Sequence, residues 1–374
     1  MNGAEANPTV DLIVAVHTTA RPIHRAVGSA LAASEAARVT VVCHDIEPAE
    51  IAAVLGELSD HPRVRLLSHR DGLRSPSGPF NAGIDSATAP WISIMGSDDE
   101  LEPGAVDDWL ARAIATEADI VLPTIVRTGT TNRVVATPPS RMGRDDRLDA
   151  VADRLAYRSA PLGLLRRASL EGVRFGLGIP TGEDVLVSAR LFFSDLHVAR
   201  HRGAAYLVHD DAGDRVTLAP STVDAALGFV ADVVDSRWFR SQTLEVRRAI
   251  AIKTLRVNVL GQFAVRPRAD QWPDTERRAL RDIVAALETS APGALDRLSC
   301  ADRDLLDALD PAVGVSAQRL AQLAARRRRY GAPLTLTPRR LRFALDREAP
   351  VRMMVAAWMT ASRDQWARRK RTAS

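Results

Sequence analysis

Apolar residues in the first part of the chain fall in short runs of strand length. Residues 10–16, 38–43, 64–67, 91–96 and 118–126 each predict a β-strand. Between them apolar positions recur at helical spacing. Ile23, Val27, Ala30 and Leu31 share a face after Arg21-Pro22, and residues 48–58, 81–87 and 103–116 predict three more helices. Strands alternating with helices at this interval imply an α/β fold with a mostly parallel, Rossmann-like sheet joined by right-handed crossovers. Beyond residue 127 the pattern loosens. Residues 127–142, rich in Thr, Arg and Pro, predict an irregular excursion, 145–155 a helix, 159–165 a short strand and 166–170 a helical turn. Gly182 opens a helix reaching Phe193, and 206–208 closes the unit as a strand. From about Pro220 strand signals fade. Residues 223–235, 244–260, 275–288 and 302–309 read as amphipathic helices, with Pro267, Pro273, Pro292 and Pro311 between them. The expected division is a catalytic-type α/β domain over 1–218, a helical accessory domain over 219–315 and a basic helical tail over 316–374.

Composition changes this picture at one place. With 46% hydrophobic and 26% charged residues in 374, the chain is that of an ordinary globular protein with an ample core. Its net charge of +4 is unevenly spread, because residues 316–374 hold 15 Lys/Arg against Asp346, Glu348 and Asp364. Three readings of that segment stand open. It is a solvated arginine face, a basic amphipathic attachment to an anionic membrane surface, or a binding site for an anionic acceptor such as a polyol-phosphate chain. Nucleic acid fits the charge, but no recognition motif supports it. Cys43 and Cys300 make neither a disulfide framework nor a metal set. The first five residues lack a signal-peptide layout, and no run reaches the roughly 18 apolar residues that span a bilayer. The expected compartment is the cytoplasm, with peripheral attachment at the inner face of the plasma membrane under the second reading of the tail.

Candidate chemistry gathers at the ends of two elements. The run from Trp91 stops at Gly96-Ser97-Asp98-Asp99-Glu100, which delivers adjacent carboxylates to the carboxyl edge of the sheet, where ligands of open α/β sheets sit. Neighbouring acids without a nearby cation in sequence invite a hard divalent ion, and such an ion invites phosphate. Gly182-Glu183-Asp184 places a second acid pair in the first turn of a helix. Either pair could be only a helix cap. Neither a G-x-G-x-x-G nor a G-x-x-x-x-G-K-[ST] loop occurs, which argues against dinucleotide oxidoreductases and P-loop phosphotransferases and leaves a diphosphate to be held through a metal.

Three separated pieces together resemble the inverting family 2 glycosyltransferases of GT-A fold, including bacterial cell-envelope and wall teichoic acid glycosyltransferases. They are Val10–Val16 with Arg21-Pro22, the Gly78-Pro79-Phe80-Asn81-Ala82-Gly83 segment, and Gly96-Ser97-Asp98-Asp99 followed later by Gly182-Glu183-Asp184. The resemblance implies a UDP-sugar donor, with Thr18 and Asp45 lining the nucleoside and Arg74 and Asn81 on the diphosphate side. It implies Mg²⁺ or Mn²⁺ on Asp98 and Asp99, with His209 completing the metal or diphosphate site. Asp184 matches the catalytic base, and Glu183 would orient the acceptor or the base. The implied reaction moves a hexose or N-acetylhexosamine to a hydroxyl of an envelope polysaccharide, a teichoic-type polymer or a lipid-linked acceptor. A catalytically impaired relative that binds sugar nucleotide or polymer is the alternative, and a nucleotidyltransferase a weaker one. Three places depart from the pattern, with Gly96 where relatives often carry an acid, Phe80 where many carry Arg, and Cys43-His44-Asp45-Ile46 where Asp-Asp-Gly-Ser is common.

Overall fold

A computed structural model of the chain describes residues 7–211 and 221–373. Strands β1 (Val10–Val16), β2 (Ala37–His44), β3 (Val64–His69) and β4 (Trp91–Gly96) pair in parallel in the order β3-β2-β1-β4. Helices α1 (Ile23–Ala33), α2 (Pro48–Leu55) and α3 (Ser77–Ser86) connect them. Then follow β5 (Glu100–Leu101), α4 (Ala105–Thr116), β6 (Ile120–Arg127), β7 (Arg133–Val135), β8 (Leu164–Arg166), α5 (Glu183–Phe192) and β9 (Val198–Val208). The parallel expectation holds for the first four strands and for β6 beside β9. It is corrected for β8, which runs antiparallel between β4 and β6, and for β5 and β7, which pair antiparallel with β9 and β6. These short strands are reached by turns and loops, and only a crossover helix returns the chain in the parallel sense.

The central strands read as unbroken apolar runs because both sheet faces are covered. Leu12, Val14 and Val16 pack with Ala26 and Ala30 of α1 and Trp109 of α4, whereas Ile13, Ile92 and Ile94 pack with Val187 and Leu191 of α5. One predicted helix is absent. Residues 145–155 form successive turns in which the Asp149 carboxylate accepts from the Ala152 N–H at 2.5 Å and Asp153 from the Asp149 N–H at 2.9 Å. These side chains compete with helical bonding, and Arg154 adopts φ 54°. The helix expected from residue 81 begins at Ser77 instead, and the 127–142 excursion contains β7.

Beyond the sheet all elements are helical, as the fading strand signal implied. They are α6 (Val223–Leu227), α7 (Phe229–Asp235), α8 (Arg237–Ser241), α9 (Leu244–Lys253), α10 (Gln262–Val265), α11 (Asp274–Ser290), α12 (Cys300–Asp307), α13 (Ala317–Arg327), α14 (Pro333–Leu336) and α15 (Pro350–Ala373). A separate apolar core joins Phe229, Leu255, Val259, Leu280 and Leu305 with Val185 and Ala189 of α5. Helix α5 therefore buries one face against the sheet and another against the helices, so its N-terminus opens at their junction. The expected boundary at 218/219 and residues 1–5 of the expected leaderless start lie outside the described residues.

The basic C-terminal segment is folded onto the rest of the molecule. Asp364 of α15 is fully buried and pairs with Arg200 of β9 at 2.5 Å and with Arg202. Glu348 meets Arg154 at 3.3 Å and Arg256 at 2.9 Å. Within the arginine run closing α13, Arg327 pairs with Asp302 at 2.6 Å and Arg328 donates to the Phe263 carbonyl at 2.6 Å. The segment is thus held both by its own acids, paired with arginines of the preceding elements, and by arginines such as Arg327 paired with acids outside it.

Candidate active site

Strand β4 ends at Gly96, and the next acids curl back over it. A methyl group built on Gly96 would lie 2.8 Å from Asp99 Oδ2 and 3.0 Å from Asp98 Oδ1. The missing side chain at 96 is therefore what lets both carboxylates converge there, and any side chain at this position would push them aside. Asp98 and Asp99 are 8% and 9% exposed. Burial of adjacent acids demands compensation, and the surrounding elements supply it. Arg21, just after β1, approaches Asp98 Oδ2 at 2.7 Å. Arg25, in the first turn of α1, donates to the Asp98 carbonyl and pairs with Asp211 at 2.7 Å. The buried Tyr206 hydroxyl donates to Asp99 Oδ2 at 2.7 Å and accepts from the Gly96 N–H at 3.0 Å. Burial, reinforced by Asp99, holds this phenol well above its ordinary range, so it stays a donor. His209 sits beside the pair through its backbone N–H, which donates to Asp99 Oδ1 at 3.3 Å, while its ring Nε2 lies 2.9 Å from Glu100.

Tyr206 was visible in sequence only as a strand residue, and Arg25 gave no signal beyond a cation one turn after Arg21. A Tyr206→Phe substitution leaves the Gly96 N–H without this acceptor. We expect it to cost about 1–3 kcal/mol in denaturant unfolding.

The neighbouring strand ends carry the other candidate positions. Thr18 follows β1, its hydroxyl accepting from the Ala20 N–H at 3.2 Å. Asp45 follows β2 with φ 53° and accepts from the Gly72 N–H at 3.1 Å. It belongs to a group that sequence reading did not assemble. His44 Nε2 lies 2.8 Å from Asp71 and 3.3 Å from Asp45, and His69 Nε2 lies 3.0 Å from Asp71. Ligating atoms of His44, Asp45 and Asp71 all fall within 4.8 Å of one another, which suits a cation. Burial raises the Asp71 carboxyl, but hydrogen bonds from His44, the Leu73 N–H and His69 outweigh this and hold it at about 2. Arg74 is exposed on the adjoining loop. Asn81 is spent on structure, donating to the Phe175 carbonyl at 3.0 Å and accepting from its N–H at 2.9 Å. Phe80, in the place of the family's arginine, packs against Phe175 with ring centroids 5.5 Å apart. The α3 start therefore clamps the loop that leads to Glu183.

Glu183 and Asp184 begin α5 on the wall of a cavity of about 890 Å³. Gly182 turns the chain there with φ +78°, and a methyl on it would meet Phe229 of α7 at 2.5 Å. Thr181 fastens the same turn by donating to the Ala226 carbonyl at 2.9 Å. The opposite wall comes from Val257 and Asn258 of a π-helical segment (Thr254–Val259), with Gln262, Arg266 and Glu276. Burial pushes the Glu183 carboxyl up to about 7, with the charge of Asp184 adding to it. Burial likewise raises Asp184, opposed by the charge of Lys253. Lys253 is buried, donates to Asn258 Oδ1 at 3.2 Å, and burial lowers it to about 8 despite Asp184. A carboxylate held high in a cavity is suited to accept a proton near neutral pH.

Comparison with known proteins places this geometry. Residues 11–174 match the family model described as "Glycosyl transferase family 2". The succinoglycan biosynthesis protein ExoO of Rhizobium meliloti (strain 1021) is 36% identical over 115 residues, 31% of this chain and 32% of that protein. The aligned region thus spans about a third of that relative's length. The structure of S. aureus TarS 1–349 in complex with UDP-GlcNAc superposes with a TM-score of 0.65 at 14% identity, covering 86% of this chain and 91% of that one. The corresponding complex with UDP gives 0.61 at 14% identity, covering 87% and 93%. These likenesses establish a shared fold that extends through the helical region. Residues 11–174 thus resemble glycosyl transferase family 2 over just under half of the chain, on a mostly parallel GT-A-like sheet continued by a helical C-terminal region.

Proposed function

We propose that this chain is a metal-dependent, inverting glycosyltransferase that moves a hexose or N-acetylhexosamine from a UDP-sugar to a hydroxyl of a cell-envelope polysaccharide, a teichoic-type polymer or a lipid-linked acceptor. The observation that carries the reading is the pair of acid sites. Asp98 and Asp99 converge over Gly96 at the carboxyl edge of β4, and Glu183 and Asp184 line the separate cavity at the start of α5. The ExoO likeness, with its succinoglycan name, supports an envelope polysaccharide, and the TarS complexes support a UDP-sugar donor.

In this reading Thr18 and Asp45 line the nucleoside, and Arg74 offers a cation to the diphosphate. Asn81 acts at one remove by holding the Phe175 backbone. Asp98 and Asp99, with His209 beside them, would hold Mn²⁺ or Mg²⁺, for which two hard carboxylate oxygens are fitting donors. A divalent ion bound there offsets charge on the departing UDP. Asp184 takes the proton of the acceptor hydroxyl as its oxygen bonds to the anomeric carbon from the face opposite UDP. As that bond forms, the carbon–oxygen bond to the diphosphate breaks, and its electron pair leaves with UDP. Glu183 orients the acceptor or the base. The division into a catalytic unit to residue 218, a helical unit to 315 and a basic segment beyond belongs to the same proposal.

A second reading, a binding protein that does not use metal, is favoured by one contact. Arg21 at 2.7 Å already supplies a positive charge to Asp98. Thermal unfolding with UDP, with and without Mn²⁺, separates the two. At ligand a hundredfold above Kd, binding stabilises by about 2.7 kcal/mol. We expect that gain only when Mn²⁺ accompanies UDP, whereas equal stabilisation without metal would favour the second reading.

A further inference from the structure

Helix α15 has two unlike sides. Thr360 and Asp364 point inward and are buried, Asp364 between Arg200 and Arg202. Diametrically opposite, at helical spacing, Val351, Met354, Val355, Trp358 and Trp366 face outward. Trp358 is 68% and Trp366 60% exposed, whereas Trp91, Trp109 and Trp272 are buried. Leu341 and Leu345, just before the helix, extend the apolar surface at 74% and 83% exposure. Large apolar side chains exposed together on one helix face mark an interaction face.

Charge decides what the face meets. Helix α15 carries six Lys/Arg and a single acid, the buried Asp364. Arg352, Arg369 and Lys370 are exposed along its flanks, and the Lys370 ammonium lies 3.8 Å over the Trp366 ring. An isologous pairing of two copies would bring this basic face against itself, which like-charge repulsion opposes. An anionic bilayer offers what the face lacks, an apolar layer for the Trp, Val and Met side chains beneath a plane of phosphates for the cations. Trp with Lys and Arg is the composition that settles at a membrane–water interface. Beside the face opens a cavity of about 290 Å³ with Met142, Val351 and Met359 on its lining and Arg141 and Arg352 at the side, which suits a lipid phosphate above an acyl chain. Among the described residues no helix is long and apolar enough to cross a membrane, so the contact is interfacial.

We propose that the outer face of α15, with Leu341 and Leu345, docks the protein flat on an anionic phospholipid surface. The last turn of the helix is bolted to the donor edge, because Arg368 pairs with Glu102 at 2.5 Å and Arg371 pairs with the same carboxylate, three residues beyond Asp99. Docking through this face therefore sets the Asp98–Asp99 edge in a fixed relation to the bilayer. The inference does not depend on the donor chemistry, and its test uses no nucleotide.

The full chain should co-sediment with vesicles of phosphatidylcholine mixed with phosphatidylglycerol far more than with phosphatidylcholine alone, and added salt should release it. The double substitution Trp358→Ser with Trp366→Ser should lower the apparent affinity by about tenfold or more. Because both rings are exposed, its unfolding temperature should stay unchanged. Leu341→Ser with Leu345→Ser, outside the helix, should act in the same direction. Equal sedimentation with both lipid mixtures, wild-type vesicle binding by both variants, or a lipid-free dimer that Trp358→Ser dissolves would each overturn the proposal.

Discussion

Asp184→Asn is expected to lower the rate of UDP release from the donor by roughly 10²–10⁴-fold, the usual loss when a positioned general base is removed. Binding of UDP with Mn²⁺, read by thermal unfolding, should persist, because Asp184 lies on the cavity of α5 and not at the β4 edge. Unchanged turnover would remove Asp184 from the mechanism. The same carboxylate sets the pH dependence. Burial raises both Asp184 and Glu183, and the two charges repel. Since the base must be ionised, activity should switch on as pH rises, with its acid limb above the ordinary carboxylate range. Because burial and not Glu183 raises Asp184, Glu183→Gln should leave that limb in place. Stability runs in the opposite sense. A carboxylate raised by folding favours the native state at low pH and loses that contribution as pH rises through its folded value. The wild type should therefore gain less stability than Glu183→Gln between mildly acidic and mildly alkaline pH, which denaturant titration can read.

The second large effect concerns folding. Asp364→Ala should destabilise the protein by about 3–5 kcal/mol, because removing one member of a buried ion pair strands the other. Arg200 is 2% exposed and would lose the carboxylate 2.5 Å away, as would Arg202 beside it. Urea unfolding should show the lower midpoint. Replacing Asp364 and Arg200 together by apolar residues of similar volume should recover part of the loss. An exposed pair elsewhere, such as Arg240 with Asp235, should cost well under 1 kcal/mol when broken.

The order of strands β1 to β4 was legible because each is buried on both faces and must therefore be continuously apolar. Acids closing β4 and opening α5 were legible for a related reason, since an abrupt change from apolar to acidic marks an element's end. Residues 145–155 misled because Asp149 and Asp153 satisfy the helical pattern while their side chains cap backbone N–H groups in turns. Asn81 looked like a ligand residue, yet both ends of its amide serve the Phe175 backbone across the fold. Arg25 and Tyr206 escaped notice because an arginine in a helix and a tyrosine in a strand carry no pattern of their own.

Period and composition alone determine the α/β class, the later helices and the positions of the two acid pairs, because backbone periodicity and side-chain burial are local properties of the chain. Pairing is not local. Only the tertiary structure decides that Gly96 makes room for Asp98 and Asp99, and that Tyr206, 110 residues from Gly96, ties the Gly96 N–H to Asp99. It also decides that α5 joins two cores and so opens Asp184 into a cavity between them. The basic tail shows the difference most plainly. Its charge is written in the sequence, but which arginines neutralise Glu102, Glu348 and Asp364, and which face outward with Trp358 and Trp366, depends on where α15, whose Asp364 lies 164 residues after Arg200, comes to rest.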